Sequence, residues 1–141
     1  MDNPGPFVFT TAGAAFSLAS AGTFLGDWML NFAGVDALSL QASFAYGGGG
    51  AVGGAAIYFQ TSLDQGQTPI DIFAPVFAEA NGLSVANLSA LDKAAPFSPA
   101  QQSLAANTIV DGVLGDRFRA VLVVSTPYTG NTTLALWGCA R

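Results

Sequence analysis

The chain has 141 residues, 25 of them Ala and 17 Gly; 51% of positions are apolar and only 9% charged, against about 25% in an ordinary soluble domain. Eleven Phe, three Tyr and two Trp argue against a disordered chain, and four basic residues against nine acidic ones, a net charge of −5, oppose binding to nucleic acid. With no His and a single Cys, Cys139, the commonest metal-site and acid–base residues are missing and no intrachain disulfide can form.

The apolar surplus needs a destination. The longest low-charge stretch, residues 3–26, is broken by Pro4, Pro6 and four Gly and is closed by Asp27, so no membrane span is expected. The first basic residue is Lys93, so no positively charged leader is expected either. The length suits one domain, residues 1–141, with a sizeable core. A monomer exposed to water on all sides normally displays more charge than this. The composition therefore favours a surface partly covered by copies of the chain or by a partner over a merely weakly charged acidic domain.

In chain order, residues 1–10 form a Pro-containing arm that includes Phe7 and Phe9, and Phe7–Thr11 and Phe16–Leu18 suggest short strands. Trp28, Leu30 and Phe32 fit either a strand or a single helical turn. Leu38, Leu40, Ala42, Phe44 and Tyr46 alternate with Ser39, Gln41, Ser43 and Ala45, the pattern of a half-buried strand. Gly47–Gly50 and Gly53–Gly54 bracket a turn read as flexible. Ile57, Phe59, Thr61 and Leu63 then alternate with Tyr58, Gln60 and Ser62, and Asp64-Gln65-Gly66 marks a tight reversal. Residues 69–77 form the next strand, with Pro75 at an edge or bulge, and residues 82–90 a shorter one carrying Leu83, Val85 and Leu88. Residues 89–115 hold no period and are expected as a long surface excursion, with one short helical turn allowed within 108–114. Phe118, Ala120, Leu122 and Val124 line one face of a strand whose other face carries Arg117, Arg119, Val121 and Val123; apolar on both sides toward its end, it belongs in the middle of a sheet. Residues 132–140 close the chain as a last strand. Seven to nine strands without a long helix predict an all-β, antiparallel β-sandwich of jelly-roll type.

Chemistry is hard to find in this sequence. A Ser–His–Asp or Cys–His arrangement is impossible without His. A carboxylate pair drawn from Asp64, Asp71, Asp111 and Asp116 would be an arbitrary choice, and Asp64 is better explained as a turn former. Asp27, Asp36, Asp111 and Asp116 sit among glycines but lack the close alternating spacing of a calcium loop. The glycine run lacks the Lys-Ser/Thr of a phosphate cradle. Tyr58, Tyr128 and Trp137 fall out of phase with the core pattern and are the aromatics available to stack on a sugar. The chain is expected not to be an enzyme and to carry no cofactor or metal.

The run QTSLDQGQTPIDI (Gln60–Ile72) resembles a strand–turn–strand motif of small tailed-phage and prophage structural proteins, Q-T-S-L-D-x-G-x-T-W-x-D-I, with Pro69 where the motif has Trp. ASFAYGGGG (42–50), TIVDGVLGDRFRA (108–120) and YTGNTTLAL (128–136) agree with it in order, so the resemblance covers much of residues 37–137. It implies a virion protein made in the bacterial host cytoplasm and carried on the capsid surface. Its type is a decoration (cement) protein, a homo-oligomer, commonly a trimer, bound to the major capsid protein. The residues offered as assembly contacts are Phe7 and Phe9 in the arm, Lys93 and Phe97 in the excursion, and Arg117 and Arg119, which are expected first to pair with nearby Asp. The competing expectation is a tail or fibre module that binds a host glycan through Tyr58, Tyr128 or Trp137.

Overall fold

A computed structural model describes residues 5–9 and 16–141. Among the described residues there are nine strands: β1 (Gly5–Val8), β2 (Phe16–Ser17), β3 (Gly22–Leu25), β4 (Ala37–Ala45), β5 (Ala55–Thr61), β6 (Ile70–Phe73), β7 (Gly82–Ser89), β8 (Phe118–Val124) and β9 (Thr133–Ala140). They form two antiparallel sheets that pack as a β-sandwich, one ordered β1-β9-β4-β7 with β2 also on β9, the other β3-β8-β5-β6. The pairs β5·β6, β4·β7, β3·β8 and β1·β9 nest inside one another. This is one long hairpin rolled over itself, the jelly-roll order.

Alternation decides which side chains enter the core. Leu38, Leu40, Ala42 and Phe44 of β4 and Leu134 and Leu136 of β9 are buried on one sheet, facing Ile57, Phe59, Phe118, Leu122 and Val124 on the other. Burying a ring such as Phe59 or Phe118, both fully enclosed, contributes about 2–3 kcal/mol. The rings also tie the sheets together. Phe7 packs on Phe32 at 4.8 Å and Phe32 edge-on to Phe118 at 5.0 Å, while Phe9 meets Phe59 at 5.0 Å and Phe59 stacks on Phe73. A second group, Phe44, Tyr46, Phe77 and Tyr128, fills the other end. β8 lies between β3 and β5 with Val121 buried, the central position its two apolar faces require.

Several elements depart from the pattern read in the sequence. Residues 5–8 of the expected arm are a strand of the larger sheet, paired with β9; residues 1–4 and 10–15 lie outside the described residues. Between residues 27 and 32 there is one bridge, Met29 to Phe118, and no full strand. The glycine-rich turn is packed. Tyr128 is buried and donates its hydroxyl to the Ala51 carbonyl at 2.7 Å, Thr129 N donates to the Gly48 carbonyl, and Gly47 N donates to Thr132 Oγ1. The glycines are needed there because Gly49 and Gly50 hold φ near +65° and a side chain at Gly47 would strike the Gly130 carbonyl. Tyr128 is thus not available on the surface. The helical turn allowed within 108–114 is absent. Ile109 bridges Phe73, and Val110 N donates to the Ile72 carbonyl, because this segment completes the open edge of β6. On β7, whose phase the sequence leaves open, Leu83 and Val85 face outward and Ala86 and Leu88 inward. Leu63, expected in phase with the core, lies beyond the end of β5 and is exposed.

The Asp64 reversal forms as expected. Asp64 Oδ1 accepts from Thr68 N at 2.7 Å and from the Ser62 hydroxyl at 2.8 Å, and Gly66 takes φ +91°. The Thr68 hydroxyl first, then its amide and the Ser62 hydroxyl, push the Asp64 carboxyl from its ordinary 3.8 down to about 2. A folded value below the unfolded one makes this contribution complete above about pH 4 and lost as pH falls through 2. NMR titration of the Asp64 carboxyl should give a midpoint near 2, and Thr68→Val should move it back toward the ordinary value. At β9, Gly138 lies opposite Phe7, whose ring occupies the space a Cβ would take. Gly138→Ala should displace that ring and β1, lowering stability by about 1–3 kcal/mol in denaturant unfolding.

Candidate assembly surface

The outward faces of the two sheets differ in charge. On the smaller sheet, Arg119 of β8, Gln60 of β5 and Asp71 of β6 are cross-strand neighbours in one row. Arg119 Nε donates to Gln60 Oε1 at 2.8 Å, and Gln60 Nε2 donates to Asp71 Oδ1 at 2.7 Å. Asp71 Oδ1 also accepts from Gln102 N at 3.0 Å, and Oδ2 accepts from Ser103 N at 2.9 Å and Leu104 N at 3.1 Å. Gln60 and Asp71 are fully buried. A buried carboxylate requires this many donors, and this one obtains them from the excursion, which curls over it with Gln102 at φ +54°. All four bonds are structural, and the carboxylate has no access to a substrate.

Arg119 lies 4.5 Å over the Trp28 ring, and its burial pulls the guanidinium down from its ordinary value. Its expected pairing with an Asp is replaced by Gln60 and Trp28. Arg117 does pair with Asp116, at 2.9 Å, and that contact holds the Asp116 carboxyl below its ordinary value. At the neck of the excursion, Asp111 Oδ1 accepts from Ser89 N and Gly112 N; the Ser89 amide chiefly lowers its pKa, while the Asp111 carboxyl raises that of Asp92. Among the described residues no group of three or more Cys, Asp or Glu is placed to hold a metal ion.

Among the described residues the outer face of the larger sheet is almost without charge, Arg141 at the end of β9 being the exception. β4 contributes Ser39, Gln41 and Ser43, β9 contributes Ala135, Trp137 and Cys139, and β7 contributes Leu83, Val85 and Asn87, brought side by side by the registers Gln41↔Trp137 and Gln41↔Val85. Leu83, Val85 and Trp137 are 63%, 62% and 42% exposed. Pro6, Gln41, Val85, Trp137 and Cys139 line a shallow depression of about 280 Å³. At its edge Arg141 Nη2 donates to Ser39 Oγ at 3.2 Å. Alternating polar and apolar strands normally place charges on such a face. Here they place Ser, Gln, Ala, Val and Trp.

The residues offered from the sequence do not converge. Phe7 and Phe9 point into the sandwich as part of the ring series described above. Lys93 and Phe97 are exposed on the excursion, Phe97 by 44%. Tyr58 is half-buried, and Trp137 alone of the three proposed sugar-stacking aromatics is exposed. The face around Trp137 was open to sequence reading through the in-out alternation of β4 and β9. What the sequence does not give is the phase of β7 and its place beside β4. Compared with known proteins, the chain matches no family model, no curated protein and no solved structure.

Asp71→Asn keeps the size of the side chain but sets an amide NH2, itself a donor, against the N–H groups that the carboxylate accepts from. It should cost about 2–3 kcal/mol in unfolding and should speed chymotrypsin cleavage after Phe97 before any global loss of structure.

Proposed function

We propose that this chain is a structural virion protein, a decoration protein that binds the outer surface of a tailed-phage capsid as a homo-oligomer and stabilises the shell. The observation that carries the reading is the charge-poor outer face of the larger sheet, with Leu83, Val85 and Trp137 in water and Arg141 at one end. A core depleted of charge and anchored by an aromatic is what a docking patch contains. Four of the nine acidic groups meanwhile act within the chain: Asp64 in a turn, Asp71 under the excursion, Asp111 at its neck and Asp116 on Arg117. The resemblance at Gln60–Ile72 names the major capsid protein as partner and three copies as the oligomer. Jelly rolls recur in viral capsid proteins, an association of fold that supports the reading without deciding it.

Binding the assembled shell and not its separate subunits stabilises the shell by mass action. Repetition over a symmetric lattice multiplies weak contacts. A second reading, a tail or fibre module for a host glycan, is favoured by one observation. The exposed Trp137 ring borders a depression that also presents Gln41 and Ser39, an apolar plane beside hydrogen-bonding groups.

Purified protein should co-sediment saturably with capsids that lack it, at a ratio fixed by capsid symmetry. Trp137→Asp, at an exposed position, should leave the circular dichroism spectrum unchanged and weaken binding by about 2–3 kcal/mol, as expected for an interfacial aromatic anchor. Binding that ignores Trp137→Asp would place the capsid contact on another face. No binding to capsids, together with binding to host glycans that Trp137→Asp abolishes, would replace the decoration reading with the tail-module one.

A further inference from the structure

The two sheets treat their long edges differently. The edge of β6 is closed by the excursion: Asp71 N donates to the Ala100 carbonyl, Val110 N to the Ile72 carbonyl, Ala74 N to the Thr108 carbonyl and Asn107 N to the Ala74 carbonyl. β7, the edge of the larger sheet, has β4 on one side and nothing along most of the other. Only its end is capped, where Ser89 N donates to Asp111 Oδ1 and the Ser89 carbonyl accepts from Gly112 N. Both backbone groups of Ser89 therefore point away from β4. In an antiparallel ladder this direction alternates, so Leu83, Val85 and Asn87 also aim their N–H and C=O groups out of the sheet. Among the described residues these groups have no partner.

Edge strands of stable monomers are usually blunted by charge, proline, a bulge or a covering segment. Gly82–Ser89 has none of these, only Gly, Leu, Ser, Val, Ala and Asn. We infer that β7 is a pairing edge and that its occupant is β7 of a second copy of this chain, antiparallel about a two-fold axis at Val85.

Self-complementarity argues for a second copy. The outward groups at Leu83, Val85 and Asn87 are symmetric about Val85, so the two-fold sets Leu83 against Asn87 and Val85 against Val85, and every outward group finds its match. On the inward side Ser84 meets Ala86, two small residues that allow close approach. Charge argues the same way. Two copies at −5 each repel over most of their surfaces, and an uncharged strand beside a face that carries no acidic side chain on β4, β7 or β9 is where that repulsion is weakest. The pairing continues one sheet into the next and makes their Trp137 faces a single surface. This contact is isologous and yields a pair, in place of the trimer implied by the resemblance. It is independent of capsid binding, because it belongs to the purified chain.

Analytical ultracentrifugation of the full chain tests it, combined with hydrogen exchange read residue by residue. The expected result is a reversible dimer, with the amides of Leu83, Val85 and Asn87 gaining protection as concentration rises. Val85→Pro removes an outward N–H and no β4 bond, and should leave a folded monomer. If that variant fails to fold, Val85→Lys replaces it: opposed lysines at the two-fold should raise the dissociation constant at least about tenfold. A monomer at all concentrations overturns the inference, as does a trimer, or a dimer that persists in Val85→Lys with the three amides exchanging freely.

Discussion

A single buried carboxylate holds together the part of this protein that has no secondary structure. Asp71 enters the sandwich wall on a short strand and would be intolerable there without partners. It receives one bond from Gln60 and three from consecutive backbone amides, Gln102 to Leu104. Those amides lie in a segment with too few apolar residues in any regular order to fold by its own packing. The carboxylate orders the segment, the segment closes the edge of β6, and the closed edge lets the smaller sheet end in a four-residue strand. Gln60 also links this anchor to Arg119 and through it to Trp28, so one polar row spans β8, β5 and β6.

Scarcity of charge gives this arrangement its reach. The chain has thirteen charged side chains, four basic and nine acidic, and the acidic ones that form contacts occupy turns, loop anchors and the start of β8. Most of the described charged side chains are exposed, but in turns, loops and at strand ends. The outer face of the larger sheet is left to small polar residues and a few exposed apolar ones, a surface unlike that of a protein designed to remain alone in water. The apolar excess of the sequence thus fills a ring-rich core and leaves part of itself exposed, on this face and on β3 and the loops.

How far the sequence could be read depended on how local the deciding interaction was. β4 and β8 were legible because two-residue alternation reports burial directly, and the Asp64 turn because its bonds run between residues four or fewer apart. β7 was legible as a strand but not in its phase, because Leu83 and Val85 lie on one face and Leu88 on the other, and only the packing shows that Leu88 faces in. Tyr128 was misplaced because its partner, the Ala51 carbonyl, lies 77 residues away. The same holds for Phe7 and Phe9, whose partners Phe32 and Phe59 belong to distant segments. The anchor at Asp71 was equally hidden, since nothing at positions 102–104 marks three amides that will gather round a carboxylate. The charge-poor face was implied by composition, but its location depended on strand order.

The nested strand order also governs how the chain can reach this fold. Partners Phe59 and Phe73 in β5·β6 are 14 residues apart, Leu38 and Leu88 in β4·β7 are 50 apart, and Gly5 and Ala140 in β1·β9 are 135 apart. Each outer pair closes a longer loop unless the pair inside it has formed, and then only the remainder has to be closed. Loop-closure entropy therefore favours zipping outward from the β5–β6 hairpin, with its preset Asp64 turn. The high proportion of distant contacts puts the chain among slow folders, in which exposed strand edges persist longest. On that route β7 joins early and β1 last, so the unblunted edge is present while the aromatic bridge made by Phe7 is still missing.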